Sequence, residues 1–112
     1  MLNQIVLVGR LTSNPEVKET EEGKKYCYIT LAIPRSFKNA NGEYDTDFIQ
    51  LKLWNAVAEN TSEYCHKGDI VGAKGRIQSY TIEKEDGSKE TKTEIIAEKI
   101  TFLSSSSKKE DE

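Results

Sequence analysis

The chain has 112 residues, enough for one domain, and its content of Leu, Ile, Val and Phe suits a small globular core rather than a disordered polymer. Hydrophobic residues make up 36% and charged residues 31%, and the longest apolar stretch near the N-terminus, Ile5 to Val8, is far too short for a membrane span or a signal-peptide core, so a cytoplasmic protein with no membrane partner is expected. The net charge of −3 excludes nucleic-acid binding through a globally basic surface, so any polyanion site must gather its cations on one face.

Residues 3–11 alternate as a strand, with Ile5, Leu7, Gly9 and Leu11 on one side and Val6, Val8 and Arg10 on the other. Residues 12–24 are polar and carry the turn signals Asn14-Pro15 and Glu22-Gly23. Residues 25–33 form a second strand, with Cys27, Ile29, Leu31 and Ile33 facing one way and Tyr26, Tyr28 and Thr30 the other; Pro34 is expected to end its ladder. Residues 36–44 read as a loop or extended hairpin tipped by Asn39-Ala40-Asn41-Gly42, and 47–54 as a third strand. The one helix falls on 55–66, with Asn55 as N-cap, Ala56, Val57, Asn60 and Tyr64 on a shared face, and Gly68 as the stop. Residues 69–82 make a long fourth strand in which Gly72 and Gly75 suggest a bulge or bend. Asp86-Gly87 tips a charged hairpin, and 91–103 return as a fifth strand. Residues 104–112, four serines and then Lys-Lys-Glu-Asp-Glu, read as a short disordered polar tail behind a domain spanning 1–103. The expected fold is all-β: a five-stranded oligonucleotide-binding barrel with one helix between strands 3 and 4, plugging one end. An SH3-like barrel comes second because it normally lacks that helix.

Catalytic signatures fail. Cys65 and the sole histidine, His66, are neighbours on one helix and point about 100° apart, so they do not form a nucleophile and base. Cys27 has no partner at ligand spacing, so two free thiols, no metal and no cofactor are expected. Gly72-Ala73-Lys74-Gly75-Arg76 is too short for a phosphate loop. The third strand is more informative. Its odd positions Ile49, Leu51 and Leu53 are apolar, while Phe48, Gln50, Lys52 and Trp54 share the opposite face. The fourth strand turns Val71, Ala73, Gly75 and Ile77 toward the core and Lys74, Arg76, Gln78, Tyr80 and Ile82 away from it. If the two strands are neighbours, this is a platform on which unpaired bases stack while cations track phosphates, with little base preference. Arg35, Phe37 and Lys38 extend the same mixture onto the adjoining loop. A protein-interaction surface is the competing reading of the same face. A nuclease on such a barrel would need clustered carboxylates and a metal, whereas this face carries Lys, Arg, Gln and aromatics.

The chain resembles the bacterial single-stranded-DNA-binding proteins across residues 2–103. The resemblance is carried in order by Asn3-Gln4-Ile5-Val6-Leu7-Val8-Gly9-Arg10-Leu11, Asn14-Pro15-Glu16-Val17, Ile29-Thr30-Leu31-Ala32 and Arg35-Ser36-Phe37-Lys38. It continues through Leu53-Trp54, Ala58-Glu59, Tyr64 with Lys67-Gly68, and Gly75-Arg76-Ile77-Gln78. It implies an oligonucleotide-binding fold, usually a homotetramer, that coats single-stranded DNA in replication, repair and recombination, and so a nucleoid-associated, non-enzymatic protein. It also implies stacking by Phe37, Phe48 and Trp54, and backbone contacts from Arg10, Arg35, Lys52, Lys67, Lys74 and Arg76; Lys38 joins them from the loop. A fourth stacking aromatic of the family aligns with Ile82; Tyr80, two residues earlier on the same face, is the candidate substitute, and the sequence leaves open which of the two takes that position. Typical members end in a long Gly- and Pro-rich segment with an acidic tip containing Pro-Phe. This sequence closes on Lys108-Lys109-Glu110-Asp111-Glu112, so it resembles a short-tailed member not expected to recruit replication partners through its tail. The runner-up is a diverged barrel of the family acting as a protein-interaction or primosome component.

Overall fold

Strands with one apolar side must bury it, and here they do so by wrapping around one another. The computed structural model describes residues 1–105, and in it the elements run β1 (Ile5–Leu11), β2 (Lys18–Glu19), β3 (Lys25–Lys38), β4 (Tyr44–Trp54), α1 (Asn55–Tyr64), β5 (Ile70–Glu83) and β6 (Lys89–Ser104). The sheet order β1-β5-β6-β4-β3, with β1 also paired to β3, closes a five-stranded barrel of the expected oligonucleotide-binding type, with the helix between β4 and β5. β2 is a two-residue addition to β3 within the stretch read as loop; both of its residues are exposed, so no apolar alternation marks it. Every pairing is antiparallel except β4 with β6, where Leu51, Lys52 and Leu53 run parallel to Ile95, Ile96 and Ala97.

The core is built from the inward positions named in the sequence: Leu11, Cys27, Ile29, Leu31, Leu51, Leu53, Val71 and Ala73, joined by Ala97. Helix α1 packs on β3, β4 and β6 and inserts Ala58 into this cluster, and Cys65, the residue that caps it, joins there. A Lys25–Glu59 ion pair at 3.0 Å ties it to β3. Both cysteines are buried and free. Among the described residues, no helix is long and apolar enough to cross a membrane.

Several local expectations change. β3 runs through Pro34 to Lys38, because past Ala32 it pairs only with β4 and a proline is tolerated where no second neighbour needs its N–H. Asn55 is not the cap: Trp54 holds that position in extended conformation without a side-chain hydrogen bond, and Asn55 turns the chain at φ 50°, a left-handed value that asparagine tolerates. The helix ends at Tyr64 rather than 66, and its buried side is Ala58 and Thr61, while Ala56, Asn60 and Tyr64 are exposed. Ile77 is 45% exposed, because β5 makes its last pair with β1 at Gly75 and beyond it pairs with β6 alone. The irregularities lie on β6, whose register skips Glu98 between Lys74 and Gly75 and Leu103 between Ile70 and Val71, so Gly72 itself pairs regularly with Thr101. β6 continues to Ser104, paired with Ile70; of the expected disordered tail, residues 106–112 lie outside the described residues.

The two glycines of β5 differ in what they permit. A Cβ at Gly75 would collide with the carbonyl oxygen of Ile96, whereas one at Gly72 meets nothing closer than Leu103 Cδ1 at 3.7 Å. Gly75→Ala is therefore expected to destabilise the barrel by about 1–3 kcal/mol as an overpacking change. Gly72→Ala should stay within about 0.5 kcal/mol, as for an unconstrained surface substitution. Chemical denaturation of the two variants measures the difference.

Candidate nucleic-acid interface

The outer face of the barrel follows from register. β3 and β4 pair Tyr26 with Trp54, Tyr28 with Lys52, Thr30 with Gln50 and Ala32 with Phe48, so these outward side chains form rows across two strands. β4 and β5 are not neighbours; β6 lies between them, since the barrel closes through the parallel β4–β6 pair. Strand periodicity carries no information on which strand lies beside which. Ile96 falls in one row with Lys52 and Arg76, and it is buried although it belongs to no part of the inner core.

Over these rows lies a groove of about 270 Å³, lined by Tyr28, Phe48, Gln50, Lys52, Tyr80, Thr93 and Glu94 above Ile49 and Ile95. Phe48 is 66% exposed and Tyr80 42% exposed, so both rings keep area free for a stacked partner. Lys52 Nζ sits 4.2 Å from the Trp54 ring centroid, 5.1 Å from Tyr26 and 5.3 Å from Tyr28, a cation held over aromatic faces. The Tyr26 and Trp54 centroids are 5.8 Å apart in a tilted pair, and Tyr26 meets Tyr28 edge-on at 6.1 Å. Tyr28 donates its hydroxyl hydrogen bond to Glu94 Oε1 at 3.2 Å. Partial burial pushes the Tyr28 phenol up, with Lys52 pulling the other way, so it stays a donor at neutral pH.

Four further candidates lie on the two hairpins. At the foot of the β3–β4 hairpin, Arg35 donates to both carboxylate oxygens of Asp47, from Nη2 at 2.9 Å and Nε at 3.1 Å, with Asp45 3.8 Å away. Hydrogen bonding from Arg35 holds the Asp47 carboxyl below the usual carboxylate range. Phe37 is 64% exposed on the same hairpin, and Lys38 Nζ lies 5.8 Å from the Tyr44 ring centroid. The hairpin tip is shaped by Asn39 Oδ1, which accepts from the N–H groups of Asn41 and Glu43, and by Gly42 at φ 79°. On β5, Arg76 donates to Gln78 Oε1 at 2.7 Å and lies 3.8 Å from Glu98.

Phe48, Lys52 and Tyr80 therefore line one groove, with Trp54 beside Lys52, whereas three cations stand apart from it. Arg10 borders a second groove with Val8, Ala32, Pro34, Thr46 and Ile70, and donates to the Gly68 carbonyl at 2.6 Å. Lys67 follows α1 in the turn that Asn14 holds through the Lys67 N–H. Lys74 is exposed between Val6 and Lys99. Ile82 is half-buried opposite Glu90, while Tyr80, two residues before it, is the one that lines the groove. Tyr26, Tyr28, Thr93 and Glu94 were not singled out from the sequence. Alternation had put both tyrosines on the outward face, but nothing in the sequence brings the 93–94 stretch to Phe48. Burial pushes both thiols up, Asp69 adding to the effect at Cys65, which leaves them poor nucleophiles. Among the described residues, no group of three His, Cys, Asp or Glu side chains is placed to hold a metal.

The family model described as the single-strand binding protein family matches residues 2–103. The chain is similar to single-stranded DNA-binding protein B of Bacillus subtilis, 46% identical over 103 residues that cover 92% of this chain and 91% of that protein. It is also similar to single-stranded DNA-binding protein 3 of Listeria innocua, 45% identical over 105 residues covering 94% of this chain and 66% of the relative. A solved structure of a deletion mutant of the single-stranded DNA binding protein from Thermus aquaticus matches with a TM-score of 0.76 at 27% identity, over 94% of this chain and 52% of that one. The chain thus spans about half the length of that neighbour.

The Arg35–Asp47 contact has a pH signature. Because the folded Asp47 carboxyl titrates below its unfolded value, the pair contributes fully above the unfolded pKa and is lost only as the pH falls through the lower folded value. In Arg35→Ala, Asp47 should titrate nearer the ordinary carboxylate range, read by NMR of the side-chain carboxyl carbons. The thermal midpoint at pH 7 should change little, since the pair is exposed.

Proposed function

The chain belongs to the single-strand binding protein family, and from that membership we propose that it binds single-stranded DNA across the outer face of β3, β4 and the β5–β6 arm. The observation that carries this reading is the groove in which exposed Phe48 and Tyr80 flank Lys52, itself held over three aromatic rings. Phe37, Phe48, Trp54 and Tyr80 stack unpaired bases, each worth about 1–3 kcal/mol by alanine replacement. Lys52 meets phosphates beside the stack, Lys38 and Arg76 extend the path along the two hairpins, and Lys74 adds a contact on the barrel wall beside Val6. Arg10 and Lys67 continue it at the end of the barrel near Gly68. Arg35 joins only by exchanging Asp47 for a phosphate. Duplex DNA is a poor ligand because its bases are already stacked on one another. The biological role that fits is coating and protecting single strands during replication, recombination and repair on the nucleoid, with no reaction step.

The outer face of β1 supports self-association into a homotetramer. Val6 is 67% and Val8 53% exposed, and Val8 and Leu103 both approach Gly72, so one apolar patch spans β1, β5 and β6. Contiguous exposed apolar surface of this kind is typical of a subunit contact. Val8→Asp should lower the molecular mass measured by light scattering while leaving the circular dichroism spectrum of the fold intact.

Trp54 is the only tryptophan, so its fluorescence reports directly on the groove. Oligo-dT is expected to quench it strongly at submicromolar protein, and duplex DNA to leave it nearly unchanged. An absence of quenching, with oligomerisation retained, would favour a protein-interaction role instead. Trp54→Ala should weaken binding at low and high salt alike. Arg76→Ala should act mostly at low salt and flatten the slope of log K against log salt by roughly 0.7 for one lost phosphate contact.

A further inference from the structure

We propose that Asn3 is a positioning residue for the single-strand site: its side-chain amide clasps the root of the β5–β6 arm and so holds Tyr80 in the groove it shares with Phe48. The inference rests on the reading of that groove as the single-strand site and names what fixes one of its walls. β1 makes its last backbone pair with β5 at Ile5 and Gly75. In the same register Asn3 stands opposite Ile77, and there the side chain takes over from the backbone. Asn3 Nδ2 donates to the Ile77 carbonyl oxygen at 2.6 Å, and the Ile77 N–H donates to Asn3 Oδ1 at 2.8 Å. A carboxamide carries an acceptor and a donor side by side, so it completes both bonds of an antiparallel rung that the main chain leaves open.

The place of this clasp decides what it controls. Just before it, between Lys74 and Gly75, the β5–β6 ladder is interrupted where β6 skips Glu98. A bulge leaves its extra residue unpaired and lets the strand bend. Just after it β5 pairs with β6 alone, and a two-stranded ribbon is only marginally ordered by itself. Burial does little to steady the junction, since Ile77 is 45% exposed. Ile77 is opposite Ile95, which pairs with Leu51 in the barrel wall, so the Asn3 amide adds itself to a row that runs through β5 and β6 to β4. Tyr80 follows on the same strand and lines the groove. An arm free to swing at the bulge carries that ring away from Phe48, and binding must then restrict it. An arm fixed at Ile77 presents the ring already in place, and affinity rises by the ordering that binding no longer has to impose. Alternation gives Asn3 no mark, because a polar residue ahead of the first apolar one reads only as the frayed start of a strand.

The test is a double-mutant cycle of Asn3→Ala and Tyr80→Ala in the full chain, read by oligo-dT binding at several salt concentrations. Asn3→Ala alone should weaken binding about two- to tenfold, the equivalent of one net hydrogen bond. The loss should be the same at every salt concentration, because no phosphate contact is removed. In the Tyr80→Ala background the same substitution should weaken binding less than about twofold, since the ring it positions is gone. Amide hydrogen exchange reads the clasp itself: in Asn3→Ala the Ile77 N–H should exchange several-fold faster, while the amide of fully buried Leu31 keeps its rate. Unchanged affinity in Asn3→Ala, an equal loss with and without Tyr80, or a flattened salt slope would each overturn the positioning role and leave single-strand binding standing. Faster exchange at Leu31 by the same factor would overturn it too, by showing a general loosening of the barrel. If the unmodified protein binds no oligo-dT, the proposed function itself falls and the positioning role with it.

Discussion

The parallel pairing of Leu51–Leu53 with Ile95–Ala97 closes the barrel, and most other features of the molecule depend on it. Without that seam β4 and β6 would be open edges and the inward rows of five strands would not enclose one core. The seam demands that β6 sit in the wall beside β4 while pairing with β5 along nearly its whole length. The two requirements are reconciled where β6 skips Glu98, opposite a glycine whose missing side chain admits the Ile96 carbonyl. Past the seam, beyond Ile77 and Ile95, the paired β5 and β6 strands leave the barrel as an arm, and Gly87 at φ 86° allows its tight tip. The β3–β4 hairpin projects as a second arm, and the pair of arms helps stretch the molecule to 55 Å along its longest axis. The groove lies between residues of both.

This geometry also arranges charge in a chain whose balance is acidic overall. The site's arginines are not bare. Arg35 is clasped by Asp47, Arg76 by Gln78 beside Glu98, and Arg10 by a backbone carbonyl. Such partners pre-orient a guanidinium but also compete with an incoming phosphate, so an exchange gains less than a first contact would. Lys52 is different, because its partners are ring faces that stay beside it when a phosphate arrives. On the proposed reading, aromatic stacking therefore carries a larger share of affinity than the number of nearby cations suggests.

Helix α1 shows how packing overrides local preference. Asn55 looks like a cap by residue type, yet the chain leaves β4 so abruptly that this residue must turn through a left-handed conformation instead. The side of the helix that is buried follows from where β3 and β6 lie, and Ala58 and Thr61 face them although the apolar spacing pointed to Val57 and Tyr64. Only Val57 of that pair packs against the core.

The sequence by itself determined the strands, their inward faces, the one helix and the barrel class, because side chains two residues apart share a face and the solvent sorts apolar from polar ones. By the same rule it marked Phe48, Lys52, Trp54 and Tyr80 as outward, and it placed the hairpin tips where Asn-Gly-type turns occur. Tertiary structure alone decided which strands are neighbours, and hence that Glu94 and Thr93 join Phe48 and Tyr80 while Arg10, Lys67 and Lys74 stand apart. It alone decided that Pro34 lies within a strand, that Ile77 stays exposed and that Arg35 is held by Asp47. The reason is common to all of these: alternation is a property of one strand, whereas adjacency, edge exposure and ion pairing arise only when the closing pair sets where each strand lies.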